Sequence, residues 1–194
     1  ACTRQGLWLI SDEIYHGLEY VVAAETALAY SDTAIVVNSF SKYFSMTGWR
    51  VGWLIVPEVL TRTIERLSQN LYIAPPTVSQ VAALGAFDGI DELEEIKRFY
   101  ARNRALLLNE LPEAGFPNIL PADGAFYIYA DISHLTDDSV VFAQAMLREI
   151  GVAATPGIDF DPERGRSYLR LSYAGAEREM LEAARRIAAW LNSR

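Results

Sequence analysis

One run constrains this chain more than any other: Asn38-Ser39-Phe40-Ser41-Lys42-Tyr43-Phe44-Ser45-Met46-Thr47-Gly48-Trp49-Arg50. It follows directly on the apolar stretch Ala34–Val37, which reads as a short strand. Its lysine sits among hydroxyls with an arginine downstream. A lysine amine is the group that forms a Schiff base with an aldehyde. Serine hydroxyls and a guanidinium are donors suited to a phosphate.

A second stretch lies upstream, Leu7-Trp8-Leu9-Ile10-Ser11-Asp12-Glu13-Ile14-Tyr15. Four apolar residues without alternation predict a strand buried on both faces, the pattern of a parallel sheet. Asp12 stands at its carboxyl end. The stretch 34–39 repeats this design, apolar first and polar last. In open α/β sheets, ligands bind outside the carboxyl ends of the strands. Asp12, Ser39, Ser41 and Lys42 are therefore expected on one rim. An aldehyde and a phosphate on one small molecule describe pyridoxal 5′-phosphate (PLP).

With these stretches go Thr47-Gly48-Trp49-Arg50-Val51-Gly52, Gly124-Ala125-Phe126-Tyr127 and Tyr168-Leu169-Arg170-Leu171-Ser172-Tyr173. Together they resemble the fold-type I, class I/II aminotransferases of the aspartate aminotransferase family. The resemblance covers essentially the whole chain in the family's order. It implies an α/β fold: part of the PLP-transferase large-domain sheet, followed by a small α/β C-terminal domain. Residues 1–92 would belong to the first and 93–194 to the second. It implies transfer of an amino group between an amino acid and a 2-oxo acid, with Lys42 holding PLP as a Schiff base and moving the proton at Cα. Asp12 would pair with the pyridine nitrogen and Tyr15 would donate to the 3′-oxygen. Ser39, Ser41 and Arg50 would bind the phosphate. Arg170 would take the substrate α-carboxylate in a bidentate fit that lysine cannot reproduce, and Gly124 would bring backbone close to the substrate. Family members are usually homodimers, so the resemblance also implies a second copy. The stretch 70–75 either reaches that partner's site or is an exposed turn.

Taken by themselves, these residues have plainer uses. Asp12 is also a fit end for a strand or cap for a helix, with Glu13 as its neighbour and competitor. Ser39 and Ser41 fit turn chemistry, Arg170 fits the polar face of a surface strand, and Phe126 and Tyr127 fit a core or a pocket wall. Lyase or decarboxylase chemistry would use the same groups, because the residues do not fix which Cα bond breaks. An aminotransferase-like effector domain of a transcription regulator is a further alternative. The amino acid substrate is not legible.

Composition narrows the rest. The charge is −8, with no lysine- or arginine-rich run, which argues against nucleic acid as a partner. No run of about 18 apolar residues predicts a membrane span. One cysteine rules out an intramolecular disulfide and fits a reducing, cytoplasmic setting. Two histidines and one cysteine do not make a standard zinc site. The chain starts Ala1-Cys2-Thr3-Arg4, almost at a core strand. Relatives carry a long region before this point, so the chain is expected to be the C-terminal portion of an aminotransferase and inactive alone.

Further elements follow from periodicity. Residues 48–56 are predicted to form a third strand stopped by Pro57. Helices are predicted at 58–70, through Val81, Ala82 and Leu84 to Asp88-Gly89, and at 91–111. Strands are expected at 126–130, 152–154 and 168–172. A helix capped near Asp137-Asp138-Ser139 should stop at Gly151, and a last helix should run over 177–191. Asp161 stands where many relatives have glycine, which questions the local loop shape.

Overall fold

The computed structural model describes residues 1–194. The chain divides into two compact units, Ala1–Lys97 and Arg98–Arg194. The boundary falls inside one long helix.

The first unit holds a three-stranded sheet: β1 (Ile10–Asp12), β2 (Ile35–Ser39) and β3 (Gly52–Ile55), in that spatial order. A one-turn helix, α1 (Cys2–Gln5), precedes it. β1 runs parallel to β2, with Asp12 opposite Val37. β3 runs antiparallel to β2, with Gly52 opposite Ser39. The predicted third strand is therefore shorter than 48–56. Its first part, Thr47–Trp49, is a turn of 3-10 helix ended by Arg50 in the left-handed region (φ 53°). Backbone in that conformation does not continue a strand.

The expectation that the first strand is buried on both faces is not met. Leu7 is 58% exposed and Ile10 65%. β1 and β3 are both edges of a sheet only three strands wide, and β2 alone carries a fully buried apolar residue, Val36. An apolar run reports what a strand is suited to, and neighbouring elements decide whether it is covered.

α2 (Glu58–Leu71) and α3 (Thr77–Gly85) follow, each opening just after a proline that ends the preceding extended segment. α3 ends at Gly85 rather than at Asp88-Gly89, and Ala83 and Ser79 form its buried face. α4 (Ile90–Glu113) extends the predicted helix at both ends and opens with Asp91 and Glu92 in its first turn, where acids suit the helix dipole.

In the second unit, β4 (Asn118–Ile119), β5 (Tyr127–Asp131), β6 (Thr155–Pro156) and β7 (Tyr168–Ser172) form an antiparallel sheet of order β4-β5-β7-β6. β4 has no counterpart among the predicted strands, being only two residues long. The strand expected at 152–154 pairs instead at 155–156, opposite Arg170 and Leu169. β5 and β7 alternate strictly. Ile128, Ala130, Leu169 and Leu171 are buried on one face, and Tyr127, Tyr129, Tyr168 and Arg170 therefore share the other. The buried face belongs to a core with Met146 of α5 (Ser139–Ile150) and Ile187 of α6 (Glu177–Asn192). α5 begins and ends as predicted. The Asp138 carboxylate accepts from the N–H groups of Val140 and Val141, and Gly151 closes the helix with φ 67°.

One buried polar group ties α4 to the chain after β7. Asn103 is fully buried, and its amide donates to the carbonyls of Tyr173 (2.8 Å) and Gly175 (2.7 Å). Removing it strands two carbonyls. Asn103→Ala is predicted to destabilise the full chain by about 2–4 kcal/mol, read as a lower urea midpoint with an unchanged slope.

Candidate active site

Asp12 ends β1, and the next amide, that of Glu13, still bonds the Val37 carbonyl at 2.8 Å. The two neighbouring carboxylates then part. Asp12 is exposed, and its Oδ1 accepts the nearby Ile14 N–H (3.2 Å). Glu13 is 4% exposed. Its Oε1 accepts the Ala27 N–H (2.8 Å) and the Thr26 hydroxyl (3.1 Å), and its Oε2 lies 3.4 Å from His16 Nδ1. Burial pushes the Glu13 carboxyl up. Hydrogen bonds from Ala27, Thr26 and Ser11, with the His16 ring nearby, outweigh burial and hold it below its ordinary value. Glu13 is thus a structural anchor for the turn that carries Asp12 and Tyr15. The sequence leaves the two carboxylates in competition, because strand alternation assigns sides only once the strand is paired.

The loop after β2 is organised by short hydrogen bonds. Ser39 Oγ lies 2.9 Å from Ser41 Oγ, accepts the Ser41 N–H at 3.0 Å and reaches the Val51 carbonyl at 3.3 Å. The Thr47 hydroxyl donates to the Ser41 carbonyl (2.6 Å), and Arg50 Nη1 donates to the Thr47 carbonyl (2.9 Å). Thr47, to which the sequence pattern assigns no role, therefore links the serine pair to the arginine. The Lys42 amine sits over the Tyr15 ring, 5.5 Å from its centroid. On either side of Ser41-Lys42, Phe40 and Phe44 turn inward. Phe40 packs on Trp53 (5.1 Å) and Phe87 (5.7 Å), and Phe44 on Phe87 (5.5 Å). Aromatics packed inward at both ends fix the loop between them. Gly52 faces Ser39 so closely that a Cβ there would meet the Asn38 carbonyl at 2.6 Å. A groove of about 600 Å³ beside this loop is lined by Asn38, Arg50, Gly52, Trp53 and Tyr72 among others. Asp12, Tyr15, Ser39, Ser41, Lys42 and Arg50 thus all lie at or just beyond the carboxyl ends of β1 and β2.

In the second unit, Arg170 pairs with Tyr129 across the β5–β7 ladder and with Thr155 across β6–β7. Its guanidinium carbon lies 4.1 Å from the Tyr127 ring centroid and 4.2 Å from that of Phe160. Its Nε is buried without a hydrogen-bond partner. Gly124 precedes Ala125, whose φ is +60°, and this turn is held by the Tyr173 hydroxyl on the Ala125 carbonyl (3.2 Å). A groove of about 590 Å³ between α4 and α6 contains none of the predicted residues. No helix is long and apolar enough to cross a membrane.

The profile of the family described as aminotransferase class I and II matches residues 1–187. The chain is 50% identical to the valine–pyruvate aminotransferase of Mycobacterium tuberculosis, over 99% of this chain and 50% of that one. It is 39% identical to the (5-formylfuran-3-yl)methyl phosphate transaminase of Methanocaldococcus jannaschii, over 95% of this chain and 50% of that one. A crystal structure of an aminotransferase from Mycobacterium tuberculosis superposes with a TM-score of 0.95 at 49% identity, covering all of this chain and 51% of that one. The chain spans about half the length of the curated relatives it matches.

The Glu13 anchor has a pH signature. Its folded-state value lies below the ordinary 4.5. Its stabilising effect is therefore complete above about pH 4.5 and is lost as pH falls through the folded-state value. Glu13→Gln is predicted to be less stable near neutrality and to lose less stability than the parent between about pH 5 and pH 3. Urea midpoints across that range check it.

Proposed function

The chain belongs to the class I and II aminotransferase family, and on that premise we propose that it carries the Schiff-base lysine of a PLP-dependent aminotransferase. The observation that supports this most is the donor set around Lys42. A lysine amine, two hydroxyls 2.9 Å apart and an arginine tied to the same turn match an aldehyde and a phosphate on one small molecule. The exposed Asp12 carboxylate at the end of β1 matches a pyridinium N–H.

When bound, PLP supplies an aldehyde for the amino group and a charged ring that accepts the electron pair left at Cα. The chain's own residues do the rest. Ser39, Ser41 and Arg50 anchor the phosphate, and the aromatic packing of Phe40 and Phe44 keeps them in place. Asp12 keeps the ring nitrogen protonated. Tyr15 would donate its phenolic O–H to the ring's 3′-oxygen. Lys42, once its amine is free, carries the proton to and from the substrate Cα. Arg170 receives the substrate α-carboxylate, and its orphaned, buried Nε is the observation that favours this role. Gly124 lets backbone approach the substrate. Residues 1–92 are read as part of the cofactor-binding domain and 93–194 as the smaller domain. A cytoplasmic homodimer acting on an amino acid and a 2-oxo acid completes the reading.

Valine and pyruvate are the first pair to assay, because the relative half identical to this chain carries them in its name. The full-length protein that carries this chain, loaded with PLP, should show a visible absorption band that disappears in Lys42→Ala. Valine should bleach that band, and pyruvate should restore it with release of alanine. A Lys42-independent spectrum would overturn the proposal. Arg170→Lys should raise KM for the amino acid by about 10- to 100-fold, the loss of a charge-assisted bidentate contact of about 1.5–3 kcal/mol.

A further inference from the structure

Phe160 is a half-exposed phenylalanine (50%) whose ring rests on the guanidinium of Arg170 rather than in the core. Its position is built by the loop that carries it. Gly157–Asp159 form a turn of 3-10 helix, and the amides of Phe160 (2.9 Å) and Asp161 (3.0 Å) both bond the Gly157 carbonyl. The Asp161 carboxylate accepts the N–H groups of Glu163 (2.9 Å) and Arg164 (3.0 Å), and the Gly165 N–H returns to the Asp161 carbonyl (2.8 Å). Gly157 and Gly165 touch backbone to backbone, so closely that a Cβ on Gly165 would overlap the Gly157 carbonyl. The buried Ser139 hydroxyl then fixes the Gly165 carbonyl at 2.9 Å. A loop closed at so many points holds Phe160 in one place.

The sheet supplies the other ring. Arg170 lies opposite Tyr129, which makes Tyr127 its diagonal neighbour on the same face. Tyr129 is occupied elsewhere, stacked on Tyr168 at 4.9 Å with planes 7° apart. Arg170 thus has an aromatic from the sheet at 4.1 Å and one from the loop at 4.2 Å. Rings packed this close to a planar guanidinium leave its N–H groups for recognition, and its Nε is dry and unpartnered.

We propose that Phe160 is a positioning residue for carboxylate recognition: with Tyr127 it holds the Arg170 guanidinium flat and shields it from water, so that a bidentate carboxylate meets a preformed fork. This rests on the reading of Arg170 as the substrate-carboxylate residue. Contacts made equally in the bound and reacting states lower KM without changing kcat. Phe160→Leu is therefore expected to raise KM for the amino acid and for the 2-oxo acid by about three- to tenfold, the scale of a partly exposed cation–π contact. Its kcat and its visible PLP band should stay as in the parent. Phe160→Tyr, which keeps the ring, should restore KM.

The decisive experiment uses the PLP-loaded full-length protein that carries this chain and measures KM, kcat and spectrum for the parent, Phe160→Leu, Phe160→Tyr and Arg170→Gln. Calorimetric binding of 3-methylbutanoate, a carboxylate with no amino group to react, adds a readout apart from turnover. Weakened 3-methylbutanoate binding and raised KM in Phe160→Leu, with Phe160→Tyr restored, support the proposal. An unchanged KM in Phe160→Leu beside a raised KM in Arg170→Gln overturns it and leaves the Arg170 reading standing. A Phe160→Leu variant that loses kcat or the visible band in step with KM also overturns it, because a disordered loop would then explain the loss. No effect of Arg170→Gln removes the Arg170 reading and the proposal with it.

Discussion

The first unit depends on how closely β3 approaches the end of β2. Gly52 stands opposite Ser39 with no room for a Cβ, and beyond that pair the Phe40 N–H bonds the Val51 carbonyl at 3.2 Å. Ser39 Oγ reaches the same carbonyl. The strand therefore ends with its last hydroxyl held toward the next turn, and the chain leaves the sheet with Ser41 and Lys42 displayed. Phe40 and Phe44 are then free to anchor inward on Trp53 and Phe87. A larger residue at position 52 would push β3 away and loosen the polar geometry and the aromatic packing together. The polar geometry of the lysine loop and the packing of its sheet are consequences of one backbone contact.

A division of labour follows between polar groups that hold the fold and those left to act. Glu13, Asn103 and Ser139 are buried, and each directs hydrogen bonds at backbone. Burying Glu13 and Ser139 is tolerable because those bonds replace the ones lost to water, whereas Asn103 satisfies its amide N–H groups and leaves its Oδ1 buried without a partner. Asp12 and Arg50 are exposed, with bonds that fix orientation and leave acceptor or donor capacity over. Arg170 stands between these classes. Its Nε is as dry as a structural group and as unpaired as a binding group.

How much of this is legible in the sequence depends on how local the cause is. α5 can be read to within a residue at its start and to the residue at its end, because its cap at Asp138 and its stop at Gly151 act within one turn of themselves. The alternation of Tyr127–Asp131 and Tyr168–Ser172 yields two strands and puts Arg170 on the polar face. The 3-10 turn at Thr47–Trp49 lies partly in the predicted strand, because the bonds that form it arrive from Ser41 and Arg50 rather than from its own apolar pattern. Exposure of Leu7 and Ile10 escapes the sequence for the opposite reason. Their pattern fits a buried strand, but burial is a property of the neighbours. Nothing in the sequence singles out Phe160, since its contact with Arg170 joins residues brought together only when the loop closes.

The loop carrying Phe160 shows how such a turn is held without a glycine at position 161. Glycine at position 161 would offer conformational freedom, yet Asp161 needs none. Its main chain bonds Gly157 and Gly165, and its carboxylate takes two amides that the turn would otherwise leave to water. Those amides hold the Asp161 carboxyl below its ordinary range, with the Arg164 charge adding to the same effect. An ionised acceptor makes stronger hydrogen bonds than a neutral one. The aspartate therefore stiffens the loop where glycine would loosen it. A stiffer loop loses less entropy when a ligand settles against the ring it presents. The same residue that raises a question about loop shape in the sequence is, in the structure, part of what keeps that shape fixed.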